Sequence, residues 1–227
     1  VIVEPIQGRG GDIVPPTGFL RGLADLCRER GLLLILDEIY TGLGRAGSWF
    51  ACEDEGVVPD LLCVGKALSG TLPIAACIGS RDVMESWPTS SGEAIHTSTF
   101  LGNPLACAAG LASLGEIKRR GLVERSASEG ERWLAELRAT LGKHKAVGDV
   151  RGRGLMIGID LVVDPSSREP DPQLGGRVVI EALRGGWIVL AGGPAGNVIS
   201  LSPPLSLSRE LMRAATRLLD ETIGAAC

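Results

Sequence analysis

The sequence predicts an α/β fold: part of a mostly parallel sheet in the first half of the chain, followed by a smaller α+β unit. Three observations carry this. The runs VIVEP (1–5), FLRGLADLC (19–27) and LLLILD (32–37) read strand, helix, strand, and that order makes a βαβ unit with a parallel sheet and a right-handed crossover. A second apolar run, DLLCVGKAL (60–68), follows the first at a distance that suits a neighbouring strand; the first run ends in Asp37 and the second runs into Lys66. Near residue 118 the pattern changes to short strands between helices, which divides the chain into units of residues 1–117 and 118–227.

Composition narrows the function classes. The chain has 227 residues, 44% apolar and 22% charged, with net charge −4, as expected of an ordinary globular protein. No basic run points to nucleic acid, and no apolar run approaches the ~20 residues of a membrane helix. No charged segment leads into an apolar stretch at the start, so no secretory signal is expected. The chain opens on Val1 and at once on a strand-like run, so an internal start is expected, with a further portion upstream. Six cysteines, at 27, 52, 63, 77, 107 and 227, include no CxxC pair. They read as reduced thiols serving as small core residues, which implies a cytoplasmic protein.

The elements follow in order. VIVEP is β-branched and closed by proline, hence a strand. QGRGGDIVPP (7–16) is loop. Thr17 is placed to cap a helix whose apolar residues Phe19, Leu20, Leu23, Leu26 and Cys27 recur at helical spacing up to Gly31, a C′ glycine. LLLILD is continuously apolar, as a strand covered on both faces requires. TGLGRAG (41–47) is loop, WFACEDEG (49–56) a short helix, and PIAACIGS (73–80) a strand close enough to 60–68 to pair with it antiparallel. RDVMESW (81–87) is a short helix, and the polar stretch 88–104 is a loop long enough to be functional. Helices are predicted at 104–120 and 122–141, then strand, glycine turn and strand over 147–163. A helix at 176–184, strands at 187–193 and 197–205, and a final helix capped by Ser208 complete the chain, the last with Leu211, Ala214, Ala215, Leu218 and Leu219 on one face.

The chemistry concentrates at 32–70. Ligands of open α/β sheets sit beyond the carboxyl ends of parallel strands, where Asp37 stands. An acid there also caps turns, and LLLILDE matches the hhhhDE Walker B pattern of nucleotide triphosphatases, although the chain has no GxxxxGK[ST] loop to go with it. Lys66 leaves an apolar strand, where burial favours the neutral amine that attacks an aldehyde; a lone lysine is otherwise a surface residue. HTSTFLGNP (96–104) sets hydroxyls, among them Ser98 and Thr99, before a helix start that suits a phosphate, while Asn103 and Pro104 already serve as cap and first helical residue.

At these residues the chain resembles the class III aminotransferases of the ornithine, acetylornithine and GABA type, fold type I pyridoxal-phosphate enzymes. The matching pieces are EPIQGRGG (4–11), LILDEIYTGLGRAG (34–47), PDLLCVGKALSG (59–70), STFLGNPLACAAG (98–110), VRGRGLMIGIDL (150–161) and NVISLSPPL (197–205). The resemblance implies pyridoxal 5'-phosphate as cofactor, Lys66 as its Schiff-base lysine and proton shuttle, and Asp37 on the pyridine nitrogen. It also implies Ile39 against the ring, Tyr40 beside the phenolic oxygen, and Ser98 and Thr99 at the phosphate, Thr99 reaching the cofactor of a second subunit in a homodimer. The reaction implied is ping-pong transfer of an amino group from an amino acid or amine donor to a keto acid or aldehyde, with no metal. Aminomutases and decarboxylases use the same lysine and aspartate.

Three positions depart from the family pattern. Tyr40 stands where DEVQTG has glutamine, Arg9 where many members have the glutamate of a GE pair, and Ser200 where those members place the arginine that grips the substrate α-carboxylate. Either the carboxylate grip has moved to Arg9 or it is lost in favour of ω-amines or sugar-like amines. The family's phosphate loop and ring-stacking aromatic are expected upstream of Val1, so residues 1–227 alone are expected to bind the cofactor weakly or not at all.

Overall fold

The computed structural model describes residues 1–88, 90–92 and 99–226. The first sheet has four strands in the order β1 (Ile2–Val3), β2 (Ile35–Asp37), β3 (Leu61–Val64), β4 (Ala76–Gly79). β1, β2 and β3 run parallel and β4 antiparallel to β3, as the spacing predicts. The crossover from β1 to β2 is α1 (Phe19–Glu29), which buries Leu20 and Cys27 against Leu34 and Leu36. The other side of the 32–37 run is less covered than expected: Leu32 and Leu33 are half exposed, so only the end of the run is strand.

Thr17 does not cap α1. Gly18, in the left-handed region at φ 88°, stands between it and the helix. The free amides of Gly18 and Arg21 instead donate to the Glu55 carboxylate at 3.2 and 2.9 Å, so a residue distant in sequence satisfies this helix start. The far end holds to expectation, with Gly31 at φ 62° just past the last turn. The segment predicted as a short helix at 49–56 is a 3-10 turn over Ala51–Glu55, and α2 (Arg81–Met84) follows β4.

α3 (Pro104–Arg119) starts at Asn103, whose Oδ1 accepts from the amides of Leu105 and Ala106 at 3.1 Å. α4 (Leu122–Leu141) packs on the second sheet, which is wholly antiparallel in the order β5 (Val147–Arg153), β6 (Met156–Leu161), β8 (Val198–Leu201), β7 (Leu190–Gly192). α5 (Pro172–Arg184) starts earlier than its periodicity suggests because Asp171 caps it and Pro172 opens it. α6 (Arg209–Ala226) is capped by Ser208, which accepts from Leu211 N at 3.2 Å. Its buried face is Met212, Ala215, Thr216, Leu219 and Ile223, turned by one residue from the predicted stripe, so Leu211 is half exposed. The reason is Trp133 of α4: its indole Nε1 donates to Thr216 Oγ1 at 3.0 Å, and this one polar pair sets the rotation of α6. Trp133 lies in the main core with Leu137, Leu141, Ile157, Ile159 and Ile199.

Candidate active site

The carboxyl ends of β2 and β3 lie side by side, with Asp37 in register with Cys63. Asp37 Oδ1 accepts from Ile39 N at 3.0 Å, which turns the chain sharply after the strand; Oδ2 takes no hydrogen bond from the described residues. β3 ends at Val64, and the buried Gly65 passes beneath Ile39, where an added Cβ would lie 3.3 Å from Ile39 Cγ2. Lys66 then opens a 3-10 turn (Lys66–Leu68) with its own φ at 42°. That turn is held from behind by α3: Ser113 Oγ donates to Ala67 O at 3.2 Å, and Gly110 lets the helix come close to Leu68 O. The small residues of α3 thus place the lysine.

Lys66 is exposed, so the burial expected to act on it is absent from this face of the chain. Its Nζ stands 5.1 Å from the centroid of the Tyr40 ring and has no ion-pair or hydrogen-bond partner among the described residues. Tyr40 in turn rests on Gly8, where a Cβ would come within 2.2 Å of Tyr40 Cδ1. The glycine of EPIQG is therefore required by the tyrosine that replaces the family's glutamine. The next residue, Arg9, has its side chain exposed.

Ser200 is placed differently. It lies on β8, paired with Gly158 and Leu190. The loop carrying Arg9 is bound to this sheet: Gly193 N donates to Arg9 O at 3.2 Å, and Arg151 donates to Gly11 O through Nη2 at 2.7 Å and Nε at 3.0 Å. Beneath the loop lies Asp12, fully buried, with neither carboxylate oxygen in hydrogen-bond geometry with a protein donor. Burial pushes its carboxyl up to about 6, outweighing the Ser200 hydroxyl and the Arg151 guanidinium, which act in the other direction. Sequence reasoning passed over Asp12, and a loop aspartate beside two glycines carries no signal that would have found it.

Two further residues were missed. Glu38, adjacent to Asp37, is buried and accepts from Thr41 Oγ1 at 2.6 Å, Ala51 N at 2.9 Å and Cys52 N at 2.9 Å. It is a structural acid, and the alternation of side chains along a strand is the signal that separates it from its neighbour. Arg45 donates through Nη1 to Leu155 O at 3.0 Å and Pro203 O at 2.6 Å, and burial lowers its tendency to stay charged. Thr99 is exposed, four residues before the Asn103 cap of α3; Ser98 lies outside the described residues, as do His96 and Thr97.

Asp37, Ile39, Tyr40 and Lys66 thus gather at the carboxyl ends of β2 and β3. A carboxylate oxygen free to accept from a ring N–H, a branched aliphatic side chain, and an unpaired primary amine fit a protonated pyridine bearing an aldehyde. Among the described residues no cluster of three or more His, Cys, Asp or Glu side chains is arranged to hold a metal, and no helix is long and apolar enough to cross a membrane.

The family described as Aminotransferase class-III matches residues 1–223. The chain is similar to the 4-aminobutyrate aminotransferase of Mycobacterium leprae, 44% identical over 99% of this chain and 49% of that protein. It is also similar to the leucine/methionine racemase of Thermococcus litoralis, 38% identical over 99% of this chain and 49% of that protein. Among solved structures, an amine transaminase from an uncultivated Pseudomonas species, in its PLP-bound (internal aldimine) form, superposes with a TM-score of 0.91 at 38% identity, covering 99% of this chain and 51% of that one. The chain spans about half the length of the curated relatives it matches. With β2 and β3 parallel, Glu38 committed to the fold and this match over almost every residue, the nucleotide triphosphatase reading of LLLILDE gives way, and the chain belongs to the class III aminotransferase family.

Proposed function

We propose that these residues are part of a pyridoxal-phosphate site and that the protein moves an amino group from an amino acid or amine donor to a keto acid or aldehyde acceptor. The observation that carries this reading is the pairing of Asp37 and Lys66 on adjacent parallel strand ends, each with its reactive atom uncommitted. When bound, the cofactor supplies an electron-poor ring that takes up the electron pair left at the substrate carbon. Asp37 would hold the proton on the ring nitrogen and so keep the ring electron-poor. Lys66 Nζ would capture the aldehyde carbon and afterwards carry a proton between substrate Cα and cofactor C4′. Ile39 would limit movement of the ring, and the Tyr40 phenol would donate toward the ring oxygen. Arg9, one residue from the Gly8 that supports Tyr40, would meet the substrate carboxylate.

Residues 1–117 and 118–227 act in this reading as a cofactor-binding unit and a smaller covering unit. A homodimer with shared sites, in the cytoplasm, completes it. Support for the dimer comes from Thr99 lying beside a run of exposed apolar side chains, Phe100, Leu101, Leu105 and Leu111.

The test is reconstitution of the intact protein with pyridoxal phosphate, followed by visible spectroscopy during addition of amine donors. Binding should create a visible band that donors discharge, and Lys66→Ala should show neither the band nor transfer. Transfer by the Lys66→Ala protein would overturn the assignment. The similarity to a racemase supports a second reading, in which a single enantiomer is inverted with no acceptor present. Polarimetry on one enantiomer without a keto acid separates the two.

A further inference from the structure

Asp12 sits at the join between the 7–13 loop and the second sheet. Its side chain lies over Gly158 of β6, where an added Cβ would come within 2.9 Å of Asp12 Cβ. The ladder sets Arg151 of β5 and Ser200 of β8 directly opposite Gly158, one on each side. The carboxyl therefore rests between a guanidinium and a hydroxyl, and both favour its ionised form without reaching hydrogen-bond geometry with it. Arg151 is committed elsewhere: Nε and Nη2 to Gly11 O, Nη1 to Asp149 at 3.3 Å and Asp160 at 3.2 Å. Residues of this chain alone leave Asp12 no exposed surface, so its enclosure does not depend on the rest of the protein.

From Asp12 a short series of contacts leads to Lys66. Asp12 N and Gly11 N donate to Gly8 O at 3.2 and 3.0 Å, and Gly8 N donates to Glu4 Oε2 at 2.9 Å. The backbone at Asp12 is left-handed, with φ 52°, a conformation that aspartate adopts more readily than most residues. The Tyr40 ring rests on Gly8, and Lys66 Nζ stands over that ring. We propose that Asp12 is a positioning residue, which seats Gly8 and through it the Tyr40 ring beside Lys66, and that ionisation of its carboxyl loosens this seat.

The direction follows from the enclosure. An un-ionised carboxyl stays in the join at modest cost, whereas a carboxylate without a donor is drawn toward water or toward Arg151. Burial sets the change at about pH 6, so the loop is tight below that pH and looser above it. The other charged groups at the join are Arg151 with Asp149 and Asp160 from the sheet, Glu4 from the segment before the loop, and the exposed Arg9. The seat of Tyr40 stands on these contacts alone; its service to Lys66 in catalysis rests on the cofactor reading above.

The experiment incorporates fluorotyrosine into the intact protein, assigns the Tyr40 resonance by its loss in Tyr40→Phe, and follows it by fluorine NMR across pH. The wild-type resonance should shift in one step near pH 6. Asp12→Asn, which cannot ionise, should hold the low-pH position throughout. Ser200→Ala lacks the hydroxyl that favours the ionised form and should move the step to higher pH. With pyridoxal phosphate bound, the visible band should change across the same step in the wild type and not in Asp12→Asn. A resonance that does not move in the wild type would overturn the proposal. So would a step that survives in Asp12→Asn, since it belongs to Glu4 or to the aspartates on Arg151, or a band that titrates alike in both proteins. A fluorine step with no visible band at any pH defeats the cofactor reading alone.

Discussion

Asp12 carries a cost that the fold retains at neutral pH. Its carboxyl is raised to about 6 by burial, so the folded state disfavours the charged form. For an acid whose folded value lies above its unfolded value, the penalty is complete above about pH 6 and gone below about pH 4, where the unfolded chain also holds the proton. Asp12→Asn should therefore raise stability by about 2–3 kcal/mol at pH 7.5 and by nothing at pH 4, as read from urea unfolding at both pH values. Arg9 is the contrasting case, an exposed base whose side chain has no hydrogen-bond or ion-pair partner among the described residues. Arg9→Ala should raise KM for carboxylate-bearing substrates by about tenfold, some 1.4 kcal/mol, and leave amine substrates lacking a carboxylate unchanged. Equal kinetics for both substrate classes would show that the grip has not moved to this loop.

At the scale of elements, close backbone approaches decide more than apolar stripes do. An added Cβ on Gly130 of α4 would lie 2.0 Å from Gly154 O in the turn between β5 and β6. Gly130→Ala should accordingly cost about 1–3 kcal/mol or more, because neither the helix nor the turn has a flexible side chain that can yield; a thermal melt measures it. Such contacts are also where legibility ended. The order of strands and helices could be read from apolar runs and caps, and the Asp37–Lys66 pair from its place at two strand ends. The rotation of α6 could not, since it depends on one hydrogen bond from Trp133 to Thr216 across two helices. The DE pair lies between these cases: side-chain alternation separates Glu38 from Asp37, but the amides of Ala51 and Cys52 that Glu38 meets are brought to it by the tertiary fold.

For the molecule as a whole, Arg45 ties the glycine-rich loop after β2 to the second sheet and to the 203–205 segment. Its backbone joins in: Arg45 O accepts from Leu155 N at 3.0 Å and Ser126 Oγ at 3.2 Å. In a glycine-punctuated loop an arginine reads as solvated, and only the tertiary fold shows it enclosed. Its partners are neutral carbonyls, so salt should do little to it. Arg45→Met should cost about 2–4 kcal/mol, to a similar extent in low and high salt. Fluorescence and circular dichroism should then report transitions that no longer coincide, as the two sheets lose their common anchor.

The turn that presents Lys66 has one more consequence. At φ 42° the lysine occupies backbone territory in which glycine rests without strain and other residues pay roughly 1–3 kcal/mol. Lys66→Gly should thus yield a protein that is inert toward amines yet harder to unfold, by about 1 kcal/mol in denaturant titration. Folding on its own would favour the empty position, so a gain in robustness on deleting this side chain would mark the lysine as a burden the fold carries for chemistry.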